Sequence, residues 1–277
     1  MDDGVASTVF EPATISEKAR RRQERKAAKR VSAHAAKDLI ARNPKQRDLL
    51  KALDTVPVVF ATGPEGTGKT YLAARKAMRA LLSTGNTIEK IIVSRPTAAP
   101  TRHRLGFLPG GGAAKMKPWM VPIFDAFREE ASQAVIDKLT QEGKIEICPF
   151  EHMRGRTFSN SATLLDEAQN ATFSDLKLII TRTGEGSTLF ISGDPNQLDI
   201  DESGLVDVMA IGRTMPASEC AIVEFDENDV VRSAVALNWV KAFAAARRAA
   251  EAMPRPVKFG DISGHNVSFL DRSRKLA

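Results

Sequence analysis

Eight consecutive residues, Gly63-Pro64-Glu65-Gly66-Thr67-Gly68-Lys69-Thr70, bring glycines, a lysine and a hydroxyl together at the spacing G-x-x-x-x-G-K-[ST]. Glycines let a backbone wrap closely around a phosphate and aim its N–H groups inward. The lysine suits the β- and γ-phosphates, and the threonine hydroxyl suits the magnesium ion that travels with them. The expected binding set runs from Gly63 to Thr70 and on to Tyr71 in the first turn that follows. A second candidate, Thr163-Leu164-Leu165-Asp166-Glu167, is an apolar run ending in adjacent carboxylates. Asp166 suits the Mg²⁺ shell, beside Thr70. Glu167 suits a group that polarises attacking water, the part that separates hydrolysis from binding. An acidic helix cap after a strand is the plainer reading of the same pair. A third, Leu189-Phe190-Ile191-Ser192-Gly193-Asp194-Pro195-Asn196-Gln197-Leu198-Asp199, runs from apolar residues into an amide. Gln197 both donates and accepts, which suits a sensor of the γ-phosphate; Asp194-Pro195-Asn196 reads equally as a turn.

These groups need elements to hold them. Val58 to Thr62 is a β-branched apolar run meeting the glycines, and Lys69 to Leu82 has helical composition, so the glycine loop lies between a strand and a helix. Further strands are expected at Ile91–Ser94, Ile145–Cys148, Thr163–Leu165, Leu189–Ser192 and Cys220–Phe225, and helices near Val121–Gln141, Ser174–Thr183 and Val231–Met253. Alternating strand and helix predicts an α/β fold with a mostly parallel sheet flanked by helices. The expected organisation is a basic arm over residues 1–42, one α/β domain over 43–252 and a tail over 253–277.

With 277 residues, 43% hydrophobic and 27% charged, the chain can bury a substantial core. No run of 18 apolar residues predicts a membrane span, and the N-terminus lacks a secretory pattern, so a cytosolic location is expected. Cys148 and Cys220 stand alone, without zinc-site spacing, and read as buried hydrophobes. The net charge of +6 favours a polyanionic partner. Lys18, Arg20, Arg21, Arg22, Arg25, Lys26, Lys29, Arg30 and Lys37 crowd one alanine-rich stretch, which reads as a phosphate-backbone contact or as a solvated tail.

Several segments, taken in order, resemble the PhoH family of ATPases, related to the first RecA-like domain of superfamily 1 helicases. Besides the glycine loop and the two later segments, they are Asn43-Pro44-Lys45-Gln46, Ser94-Arg95-Pro96, Leu105-Gly106-Phe107-Leu108-Pro109-Gly110, Met153-Arg154-Gly155-Arg156-Thr157 and Phe225-Asp226-Glu227-Asn228-Asp229-Val230-Val231-Arg232-Ser233. The resemblance covers about residues 43–245. It implies a RecA-like P-loop ATPase using ATP and Mg²⁺, with Gln46 resembling an adenine-selecting glutamine whose amide pairs with N6 and N7. It also implies a nucleic-acid partner, single-stranded RNA favoured over DNA, and a homo-oligomer, hexameric by family resemblance, in a bacterial or phage-infected cytoplasm. Too few residues follow the core to build a second RecA-like domain, so the arginine that completes such a site comes from this domain or a neighbouring subunit. Arg232 is the candidate, and a surface arginine at a helix N-terminus is the plainer reading of the same residue. Arg95, Arg154 and Arg156 read as phosphate or subunit contacts, or as structural ion pairs.

Departures from the family pattern cluster between Arg95 and Lys117, where Arg102, His103 and Arg104 stand in place of acidic residues and, after Gly110, Gly111-Gly112-Ala113-Ala114 replaces a more polar stretch. That loop suits a nucleic-acid strand, with Phe107 or Trp119 as a stacking face or as core residues. The nuclease domain of some relatives is not carried over. An ATP-timed regulatory module and a small-molecule kinase are the competing classes. Stimulation of turnover by nucleic acid separates the first from a motor, and phosphate transfer to a metabolite marks the second.

Overall fold

Six short strands put side chains on two buried faces, and that alternation builds the protein around a sheet covered on both sides. The computed structural model describes residues 38–85, 87–96, 116–198, 200 and 202–252. Its strands are β1 (Val58–Thr62), β2 (Lys90–Ser94), β3 (Ile145–Ile147), β4 (Ser161–Leu165), β5 (Thr188–Gly193) and β6 (Cys220–Glu224). Among the described residues they pair in the order β3-β2-β4-β5-β1-β6, every pair parallel. The helices are α1 (Pro44–Thr55), α2 (Lys69–Leu82), α3 (Val121–Arg128), α4 (Gln133–Gln141), α5 (Phe173–Ile180), α6 (Leu205–Gly212) and α7 (Ala234–Ala252). The α/β class expected from the alternation is the one observed.

One face of the sheet, carrying Val59, Ala61, Ile91, Val93, Ala162, Leu164 and Phe190, packs on Leu49 of α1, Leu72 and Met78 of α2 and Phe127 of α3. The other, carrying Phe60, Ile92, Leu165, Leu189 and Ile191, packs on Leu176 and Ile179 of α5 and Leu205, Val208 and Met209 of α6. Because all pairs are parallel, the C-terminal ends of β1, β2, β4, β5 and β6 share one edge of the sheet, the edge where such folds bind ligands. Register aligns Thr62 with Gly193 and Glu224, and Leu165 with Ser94 and Ile191.

One helix expected over Val121–Gln141 is two. Glu130 turns inward, with its side chain 1% exposed, and takes ion pairs from Arg75 Nε at 2.5 Å and Arg79 Nε at 2.6 Å. The chain then reaches extended backbone at Ser132 before α4 begins, so a buried charge, rather than proline or glycine, separates the helices. Helix α6 was not anticipated. The expected helix from Val231 starts at Ala234, in a separate unit that begins at Ser233. Within that unit, the rings of Trp239 and Phe243, one turn apart, lie 5.5 Å centroid to centroid. Among the described residues no helix is long and apolar enough to cross a membrane. Residues 1–37 of the basic arm, which carry Lys18 to Lys37, the tail and the loop bearing His103, Phe107 and Lys115 lie outside the described residues; Trp119 is half-buried.

Candidate functional site

The chain leaves β1 at Thr62 and turns at once. Gly63 adopts φ +123°, Gly66 +81° and Gly68 +86°, and α2 begins at Lys69, so the eight residues form a loop that closes over a helix N-terminus. Three distant segments hold it. Phe225, just past β6, sits so close that a Cβ on Gly63 would lie 2.1 Å from its carbonyl oxygen. Val231 donates its N–H to Gly66 O at 2.9 Å, and the Arg232 side chain lies over Gly66, where a Cβ would meet Nε at 2.7 Å. From the other side, Gln46 donates Nε2–H to Thr67 O at 2.9 Å. Its Oε1 accepts from the Arg42 N–H at 2.8 Å, and the residue is 2% exposed. Both ends of the amide expected to face adenine thus bond backbone, and any adenine contact at this position must use its second N–H and second lone pair.

Inside the loop, Lys69 Nζ donates to Gly63 O at 2.6 Å, Pro64 O at 2.8 Å and Thr67 Oγ1 at 3.2 Å. Burial lowers its pKa below the usual lysine range, while Asp194, Asp166, Glu167 and Glu65 pull it back up. Glu65 stands exposed on the loop, and Tyr71 lies on the exposed side of α2 with its ring against the Arg75 guanidinium.

Asp166 follows β4. Its Oδ1 accepts from Thr70 Oγ1 and from Ser192 Oγ, each at 2.7 Å, and the two hydroxyls lie 3.1 Å apart. A carboxylate and two hydroxyls converging on one point are hard oxygen donors of the kind Mg²⁺ takes. Among the described residues no group of three His, Cys, Asp or Glu side chains forms a complete metal cage. The three-glycine cradle, the helix N-terminus and this donor set therefore fit a nucleotide–magnesium complex. Ser192, buried at the end of β5, was quoted within its segment but given no task; a hydroxyl on the last strand residue before a glycine is the signal that was available.

Glu167 occupies the left-handed region (φ 56°, ψ 41°), a strained conformation of the kind found at functional sites. The turn Ala168–Asn170 follows it, yet its side chain makes no cap hydrogen bond. Instead Oε2 accepts from Gln169 Nε2 at 2.5 Å, and Oε1 lies 3.4 Å from Arg95 Nη2. Burial raises its pKa and Asp166 adds to the rise, while Arg95 and Gln169 offset part of it. Gln197 is exposed beyond β5, donating Nε2–H to Asp194 Oδ2 at 3.0 Å. The sheet order places β5 between β1 and β4, so the Gly193–Gln197 segment leaves the sheet between the glycine loop and the acidic pair.

The other arginines divide. Arg95 meets Glu167. Arg156 is bidentate to Glu146 at 2.7 and 2.9 Å with its guanidinium 4.9 Å above the Phe158 ring, a structural ion pair. Arg154 is exposed. A cavity of about 900 Å³ opens at the opposite end of the sheet between α1 and α2, lined by aliphatic residues together with Asp54, Lys76, Arg79 and Glu185. We place the chemistry at the glycine loop, where Lys69, Thr70, Asp166 and Glu167 come together.

A lysine-bearing glycine loop between a central strand and its helix, with an acidic residue bonded to the loop threonine, defines a P-loop NTPase-like protein. The family model described as PhoH-like protein matches residues 38–244. Over 210 residues the chain is 39% identical to Protein PhoH of Escherichia coli (strain K12), covering 74% of this chain and 58% of that protein. The PhoH-like protein of Synechocystis is 37% identical over 219 residues, 78% of this chain and 65% of its own. That of Bacillus subtilis (strain 168) is 38% identical over 200 residues, 72% and 61%. The chain belongs to the PhoH-like family, as its motifs led us to expect, and spans about three fifths of the length of these relatives.

Proposed function

We propose that this chain binds ATP with Mg²⁺ and hydrolyses it, and that turnover is coupled to binding or remodelling single-stranded nucleic acid, RNA in preference to DNA. The observation that carries hydrolysis is the placement of Glu167 on a strained backbone, with both carboxylate oxygens oriented by Gln169 and Arg95, next to the Asp166 that bonds the loop threonine. In this reading the loop amides and Lys69 hold the β- and γ-phosphates. Thr70 and Asp166 hold the ion, with Ser192 keeping the Asp166 carboxylate in place. Mg²⁺ held there would supply the charge neutralisation that phosphoryl transfer needs. Glu167 orients water and accepts its proton. Gln197, hinged on Asp194, reports the γ-phosphate to its loop.

Arg232 stabilises charge on the transferred phosphoryl. Its side chain lies over Gly66 of its own loop, so the same chain can supply it; supply across a ring of subunits, hexameric in the family resemblance, is the other arrangement. The net charge of +6 supports a polyanionic partner in a bacterial or phage-infected cytoplasm. A test of the division of roles is binding of a non-hydrolysable ATP analogue. Lys69→Ala abolishes tight binding, while Glu167→Gln keeps it and stops turnover. Equal loss of binding in both variants contradicts the assignment.

A further inference from the structure

Between the acidic pair and the segment after β5 lies a side chain to which neither the sequence reading nor the proposed chemistry gives a task. Gln169 is 2% exposed, among the most deeply buried polar groups described. Its amide makes two bonds of opposite polarity. Nε2 donates to Glu167 Oε2 at 2.5 Å, and Oε1 accepts from the Asp194 N–H at 3.1 Å. Only a side-chain amide satisfies both at once, since a carboxylate cannot donate and a thioether can do neither well. The approach is close: a Cβ on Gly193 would stand 2.6 Å from Gln169 Oε1 and 3.0 Å from its backbone nitrogen, so the strand must end in glycine for the two segments to meet. Beyond the contact, Asp194 Oδ1 accepts from the Asn196 N–H at 3.0 Å and Oδ2 accepts from Gln197 Nε2 at 3.0 Å.

We infer that Gln169 is a positioning residue: it fixes the aim of the Glu167 carboxylate and ties that aim to the backbone at Asp194, so that movement of the Gln197 segment changes the water-orienting group. The inference rests on the hydrolytic reading given above. A residue bonded to only one of the two segments would brace its loop. One bonded to both, with opposite polarity, transmits a displacement of either to the other, because a buried amide that loses a partner has no water to replace it.

The test uses the full chain and compares wild type, Gln169→Glu, Gln169→Met, Glu167→Gln and the double variant Glu167→Gln/Gln169→Glu. Gln169→Glu keeps the acceptor for Asp194 and removes the donor to Glu167. Its kcat falls about tenfold or more, short of the roughly 10²–10⁴-fold that removing the proton acceptor itself costs. Its KM and its affinity for a non-hydrolysable ATP analogue stay near wild type, while its melting temperature falls because a second carboxylate is buried against Glu167. Gln169→Met loses both bonds and loses thermal stability as well. On the Glu167→Gln background, Gln169→Glu lowers kcat no further, the non-additivity expected of groups acting as a unit. Retained kcat in Gln169→Glu, or loss of kcat in parallel with analogue affinity, overturns the inference while leaving hydrolysis standing. Wild-type turnover no faster than Glu167→Gln overturns both.

Discussion

Gly63 and Gly85 both hold positive φ, +123° and +88°, but they differ in what a side chain would meet. At Gly85 nothing lies within 4 Å, so Gly85→Ala pays only for a left-handed backbone, about 1–2 kcal/mol, partly offset by about 0.4–1 kcal/mol from a stiffer unfolded chain. At Gly63 the new Cβ would stand 2.1 Å from Phe225 O and 2.8 Å from its carbonyl carbon, far inside ordinary contact. Backbone on both sides must move, and Phe225 is tied to β1 by its N–H bond to Thr62 O at 2.8 Å. The strained φ costs about 1–3 kcal/mol and the overlap about 1–3 kcal/mol more. With the same unfolded-chain offset applied to both, Gly63→Ala loses about 1–6 kcal/mol where Gly85→Ala loses about 0–1.6 kcal/mol. Denaturant unfolding, read as the shift in midpoint at constant slope, measures both. Equal shifts would refute the account of how the loop is clamped against the end of β6.

Arg232→Ala retains affinity for the ATP analogue and lowers turnover by about 10³-fold, the scale of a completing arginine; unchanged turnover returns Arg232 to a packing role over Gly66. Glu146 offers a pH test away from the site. The Arg156 hydrogen bonds, reinforced by Lys90, hold its pKa down to about 2 from the usual 4.5. A depressed carboxylate contributes stability above its unfolded pKa and loses it as pH falls through the folded one. The stability difference between wild type and Glu146→Gln therefore shrinks from pH 4.5 towards pH 2, and a difference that grows over that window contradicts the pairing.

The parts of the site that were legible in the sequence are those whose chemistry is local. Glycines, Lys69 and Thr70 fall within eight residues, and an apolar run ending in Asp166 and Glu167 announces a strand end. What stayed hidden depends on contacts across long stretches of chain. Gln46 reaches Thr67 from 21 positions away, and Ser192 reaches Asp166 from 26. Nothing adjacent marks either pairing. Glu130 looks like a surface charge in an amphipathic run until Arg75 and Arg79 pull it inward and break the helix. Helix α6, Leu205–Gly212, is apolar over most of its length and too short for its period to separate it from a strand. Arg232 was singled out by its motif, but its place over Gly66 follows from the bond between Val231 and the loop.

The most direct test of the central claim is steady-state ATP hydrolysis by the full chain with Mg²⁺, with and without single-stranded RNA and DNA, using Glu167→Gln as the blank. The account predicts turnover above the blank that RNA stimulates more strongly than DNA. Turnover above the blank but indifferent to both polymers would replace the nucleic-acid coupling with an ATP-timed assembly, and turnover equal to the blank would contradict hydrolysis at this site.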